Sequence, residues 1–193
     1  MVSRKEVSMP ESFMRYVNAV AENNLEDALR KNTRRFRKML KNIPKKKINY
    51  AYAEGKWTLK ELLQHIVDAE RVFVFRALHF ARKDTVPLPG FDENVWAITA
   101  KAPKRSWGDL VDEFTALRVS TELFFQSFDE DQLLATGTAN NNPMSVVGLG
   151  FVCAGHVAHH MNIIKERYLN EYPAKKAVKK KGSKKNQGLG FSS

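Results

Sequence analysis

Apolar residues recur at three- and four-residue spacing in four long stretches, the signature of amphipathic helices. From Asn24 to about Lys41, Leu25, Ala28, Leu29, Phe36, Met39 and Leu40 form one stripe, and the opposite face carries Arg30, Lys31, Arg34, Arg35, Arg37 and Lys38. From Thr58 to about Arg82 the arc is Leu59, Leu62, Ile66, Ala69, Phe73, Ala77 and Phe80. From Ser106 to about Phe128 the buried side reads Leu110, Phe114, Leu117, Thr121, Phe124 and Phe128. The last pattern runs from Ser145 to about Asn170 with no proline inside it. Each start has a capping residue: Asn24, Thr58 with Glu61, Ser106 with Asp109, and Ser145, which Met144 and Leu149 can staple.

Between these stretches lie breakers. Pro10 can open a short helix to about Glu22, after a loose segment at residues 1–9. Pro44 ends the first long helix, and Ile48–Tyr52 reads as an extended connector. Pro87–Gly90 breaks the chain before a short helix or turn at Phe91–Trp96, and Thr136–Pro143 is a polar loop rich in turn formers. No stretch is convincing as a strand. The expectation is an all-α fold, a helical bundle.

Polar residues interrupt the apolar stripes in two places. Glu70 falls inside the arc of the second long helix, where a carboxylate needs a partner. In the last helix His156 and His160 stand one turn apart on the apolar face, beside Leu149, Val152, Cys153, Ile163 and Ile164. Two imidazoles at i and i+4 converge on a point above the helix, which suits one metal ion; a hydrogen-bonded pair of core histidines is the other reading. His65, at the inner edge of another helix, is the candidate third ligand. His79 and His159 are read as bystanders.

Composition narrows the class. The 193 residues are 43% apolar, enough for one domain with a real core. No apolar run suggests a membrane span, and the polar N-terminus lacks the apolar core of a signal peptide. The lone cysteine, Cys153, excludes an intrachain disulfide and fits a cytoplasmic location. The net charge of +11 is concentrated: from Lys175 onward there are seven lysines and no acid, which leaves +4 for the rest. The chain therefore divides into a bundle at 1–172 and a lysine-rich tail at 173–193 expected to be disordered.

The stretch Gly55–Arg71, with Trp57-Thr58-Leu59-Lys60-Glu61-Leu62 leading to His65, resembles the first metal-ligand segment of the DinB/YfiT-like superfamily. Phe75–Leu78, Pro87–Glu93, Gly137–Asn140, Gly155-His156 to His160 and Glu166–Leu169 follow in the family's order, over about residues 10–170. The resemblance implies a four-helix bundle of up-and-down type with an unusual connection order. It implies one divalent metal, zinc or nickel, held by three histidines that map to His65, His156 and His160. It also implies homodimers, and activities that include transferases and isomerases using low-molecular-weight thiols. Where many relatives follow the histidine pair with a Gly-Gln step, this chain has Met161-Asn162-Ile163-Ile164.

Three neutral imidazoles leave a coordination position open, as in catalytic zinc sites. Such a centre supports hydrolysis or thiol transfer on a small molecule alike. Around it, Glu70 is the acidic candidate, expected to bond a ligand histidine or to pair with Arg167; Arg76 is a candidate for a substrate anion or an ordinary ion-pair partner; Asp92 and Glu93 either fold over the site or simply start a helix. The alternative class is a non-catalytic metal-binding stress protein whose lysine tail contacts nucleic acid or an acidic partner.

Overall fold

The computed structural model describes residues 2–169; the lysine-rich tail and its boundary lie outside these residues. The helices are α1 (Glu11–Asn18), α2 (Leu25–Lys41), α3 (Leu59–Ala81), α4 (Glu93–Thr99), α5 (Trp107–Gln126), α6 (Glu130–Leu134) and α7 (Val146–Ile163). All four expected caps form. Asn24 Oδ1 accepts from the Asp27 amide, Thr58 and Glu61 make a reciprocal box, Ser106 Oγ accepts from Asp109 and Ser145 Oγ from Gly148. α7 ends in a π-helical turn, Ile164–Tyr168, whose buried Tyr168 donates its hydroxyl proton to the Trp57 carbonyl at 2.6 Å.

The long helices form a four-helix bundle in which α7 packs on α2 and α3, and α5 also packs on α2 and α3. The chain-consecutive helices α2 and α3 therefore face each other across the bundle, as do α5 and α7. Residue pairing gives the directions. Thr33–Glu122 and Phe36–Phe114 make α2 and α5 antiparallel, whereas Gln64–Arg105 and Arg71–Glu113 make α3 and α5 parallel. Short antiparallel hairpins cannot join helices arranged in this way, so the connections 42–58, 82–106 and 127–145 are long. These connections supply much of the site.

Three expectations need correction. Residues 136–145 are not an irregular loop but a hairpin, β1 (Thr136–Ala139) paired antiparallel with β2 (Asn142–Ser145). Its two-residue turn places Asn140 at φ 50° and Asn141 at φ 59°, the type I′ geometry whose right-handed twist matches the strands and which asparagine tolerates. Leu88 lies alongside as a parallel bridge to Ala139. Residues 2–9 are not loose. Val2 is buried, Ser3 and Glu6 close a capping box over a single 3-10 turn, and Ser8 exchanges hydrogen bonds with Ser145. Their few apolar groups suffice because they cover the N-terminal end of α7. The connector 48–52 is not extended throughout: it opens with a turn at Ile48 and Asn49 and bends at Tyr52.

The core falls into two apolar clusters. One is built around Leu25, Leu29, Phe80, Phe125, Phe151 and Val152, the other around Phe36, Leu63, Ile66, Phe114, Val157 and Tyr168. At the boundary each long helix contributes buried polar side chains: Asn32 and Thr33 from α2, Glu70 from α3, Arg118 and Thr121 from α5, His156 from α7. Val146–Tyr168 is long and apolar enough to cross a membrane, contrary to the reading of the sequence, but 83% of its apolar 18-residue window is buried inside the protein. Its apolarity is that of a helix packed on α1, α2 and α3.

Candidate metal centre

Two helices bring the three histidines together. His65 stands on the second turn of α3, and His156 and His160 on successive turns of α7. His156 Nε2 lies 3.1 Å from His65 Nε2 and 3.0 Å from His160 Nε2, and one nitrogen from each ring lies within 4.8 Å of the others. His79 does not join them; its Nε2 lies 2.9 Å from the Val86 carbonyl oxygen. His159 sits to the side, edge-on to Tyr16 at 5.4 Å.

Gly155 explains how α1 reaches this centre. A Cβ there would overlap the backbone carbonyl of Tyr16, so only glycine lets α1 lie directly on α7. Tyr16 is thereby placed edge-on to His156 at 5.3 Å; Phe73 flanks the same ring at 5.7 Å, and Trp57 stacks at a tilt on His65 at 4.8 Å. Aromatic walls remove water from the imidazoles. Burial lowers the His65 pKa to about 4 against the upward pull of Glu93, and burial followed by the neighbouring histidines holds His156 and His160 well below the ordinary imidazole range.

The residues fit a metal. All three rings are neutral near pH 7, the ligating form. With Nε2 atoms turned on one another, a single shared proton satisfies at most one of the two close contacts, whereas a cation can accept every lone pair. Separations of 3.0 and 3.1 Å are also near those of nitrogens bound to one ion at about 2.0–2.1 Å. His160 Nδ1 is buried without a hydrogen-bond partner among the described residues.

The histidines floor a cavity of about 330 Å³ whose walls include Phe13, Tyr16, Trp57, Phe73, Arg76, Phe91 and Glu93. A cavity of about 400 Å³ beside α2 and α5 contains none of the histidines, so volume alone does not select the site. Among the described residues Glu93 is the single carboxylate in the lining of the histidine cavity, while Asp92 caps α4 by accepting from the Asn94 and Val95 amides. Arg76 is buried in the wall and donates from Nη2 to the Pro89 carbonyl at 3.0 Å.

Glu70 is engaged elsewhere. Its Oε1 accepts from Thr121 at 2.7 Å and its Oε2 lies 2.8 Å from Arg118 Nε. It does not pair with Arg167, whose side chain is exposed beyond the end of α7. Arg118 also donates to the Cys153 carbonyl at 2.6 Å, tying α5 to the turn of α7 that precedes His156. The sequence contained the signal for Arg118: it lies four residues after Phe114 and three before Thr121, on the buried stripe and in need of an acid. The Cys153 thiol is buried, and burial raises its pKa, so it is an inert packing group.

A four-helix bundle with a three-histidine cluster at the floor of an aromatic cavity is the class of protein that fold and site define. Residues 28–164 match the DinB superfamily, and the chain belongs to it. A relative from Oceanobacillus iheyensis, named "Putative metal-dependent hydrolase OB0413", is 30% identical over 67 residues; the match spans 34% of this chain and 38% of the relative, well under half of its length. Among solved structures, YfiT from Bacillus subtilis, described as "a probable metal-dependent hydrolase with an unusual four-helix bundle topology", superposes with a TM-score of 0.64. The likeness covers 85% of this chain and 90% of YfiT at 13% identity, and it shows a shared fold.

Proposed function

We propose that this protein is a metal-dependent enzyme that hydrolyses a small molecule, with His65, His156 and His160 holding one divalent transition metal ion, zinc or nickel. The observation that carries the reading is the convergence of three buried, neutral imidazole nitrogens on the floor of a cavity. When bound, such an ion supplies Lewis acidity and acidifies a water or thiol at its open position.

The chain's own groups do the rest. The three histidines present unprotonated nitrogens, and Tyr16, Trp57 and Phe73 shield them from bulk water. Glu93 supplies the wall carboxylate that can take up a proton in the cavity. Hydrolysis is preferred to thiol transfer because both relatives carry the description of metal-dependent hydrolases.

Metal analysis of purified protein, then titration of metal-free protein with zinc and with nickel, tests the centre. One ion should bind per chain, and His65→Ala, His156→Ala or His160→Ala should each abolish tight uptake, whereas His79→Ala and His159→Ala should not. Absence of uptake near neutral pH by the wild-type chain would refute the reading. Hydrolysis of small ester and amide substrates, assayed with and without a low-molecular-weight thiol, then separates hydrolysis from thiol transfer.

A further inference from the structure

Arg76 is 3% exposed, yet among the described residues no carboxylate forms an ion pair with it. Its described hydrogen bond is one Nη2 donation to the Pro89 carbonyl. A guanidinium carries five N–H donors, and burying that charge without an anion is costly. The side chain lines the same cavity as the three histidines. From this pairing of a buried cation without an acid and an open space beside it, we infer that the cavity binds a small organic oxyanion whose carboxylate is held by Arg76.

The helix sets the layout. His65, Ala69, Phe73 and Arg76 lie on one stripe of α3, and His65 and Arg76 are separated by about 16 Å of helix axis. Helical side chains lean towards the N-terminus, the direction of His65, and Arg76 and Phe73 line the same cavity as the histidines. A ligand with its carboxylate on Arg76 thus extends its body along Phe73 towards the histidines. That body is apolar, because Phe13, Tyr16, Phe73 and Phe91 form the walls. A volume of about 330 Å³ holds on the order of ten non-hydrogen atoms, the size of an arylalkanoate. Two other charged side chains line the cavity, Glu93, which acts on His65, and Arg15, which is exposed and donates to the Tyr16 hydroxyl. Of the two cations, Arg76 is the buried one, and it is there that an anion gains most.

The inference deepens the proposed enzymatic reading and rests on it for the substrate's role, but it can be tested without metal. Full-length protein is stripped with a chelator, dialysed free of it and titrated with 3-phenylpropionate and with 3-phenylpropionamide. The acid should bind at least about tenfold more tightly than the amide, as expected for a charge-assisted bond to a buried guanidinium. Arg76→Gln should remove this preference and leave the amide's affinity unchanged. Should that variant fail to fold, Arg76→Lys decides: loss of the planar fork should weaken acid binding about tenfold. Equal binding of acid and amide to the wild type, including no binding of either at millimolar concentration, overturns the inference. So does an acid affinity unaltered by either substitution. His156→Ala, which dismantles the metal centre and keeps Arg76, should retain the preference, so a failed metal reading and a failed anion reading give different results.

Discussion

Arg118 Nε lies 2.8 Å from Glu70 Oε2 with both side chains sealed from solvent, in the polar layer between the two apolar clusters of the core. The pair links α5 to α3, and a second guanidinium nitrogen holds the Cys153 carbonyl of α7. Three of the four long helices are thus pinned at one level, adjacent to His156. Exchanging a buried ion pair for apolar groups is often neutral, but removing one member strands a charge.

Glu70→Ala should therefore cost about 3–5 kcal/mol in urea unfolding, because Arg118 is left buried without its acid. The double variant Glu70→Leu with Arg118→Met should recover most of that loss. A Glu70→Ala loss within about 0.5 kcal/mol would show that the pair carries no structural burden.

Metal should stabilise the fold through its preference for the native chain. At a free concentration about 100 times its Kd the gain is about 2.7 kcal/mol. For a chain of this length that corresponds to a rise of roughly 5–10 °C in Tm. Calorimetry with zinc or nickel checks it, and His160→Ala should show no comparable rise.

Metal-free protein should lose stability on acidification. An unfolded imidazole titrates near 6.5, whereas His65 in the fold titrates at about 4. Below pH 6.5 the unfolded chain takes up a proton that the folded chain refuses. This stability is complete above about 6.5 and is lost progressively towards pH 4, at up to ~1.4 kcal/mol per pH unit from His65 alone. His156 and His160 act in the same direction. Urea midpoints measured across this range should give a shallower slope for His65→Ala; a flat wild-type profile would contradict the burial described.

Gly155→Ala should separate α1 from α7, since the added methyl overlaps the Tyr16 carbonyl. Overpacking of this kind costs about 1–3 kcal/mol. Metal affinity should fall with it, because Tyr16 shields His156. Thermal unfolding and metal titration of the variant read the two effects, and an unchanged Tm would mean that α1 is not seated as described.

The helices themselves were legible in the sequence because their causes are local. Thr58 with Glu61, or Ser145 ahead of Gly148, needs only neighbours in the chain, and the i,i+4 spacing of His156 and His160 is fixed by helical pitch. The charge of Glu70 inside an apolar arc announced that a partner existed. Its identity was not legible: Arg167 aligned with the histidines along α7, but Glu70 faces α5, and only the packing of α3 on α5 presents Arg118 to it. The hairpin at 136–145 was missed because four-residue strands carry almost no periodicity, and its Asn140-Asn141 turn reads equally as loop.

Sequence alone thus determined the four amphipathic helices, their starts, the paired histidines and the candidacy of His65, each a consequence of short-range geometry. Tertiary structure decided which helices are neighbours, and hence that His65 meets His156 at 3.1 Å, that Glu93 and Arg76 share a cavity with them, and that Arg118 neutralises Glu70. The physical reason is that a helical stripe specifies a face to bury and not the helix that buries it. That choice depends on the long connections and on close approaches such as Gly155 against Tyr16, whose effect appears only when distant segments pack.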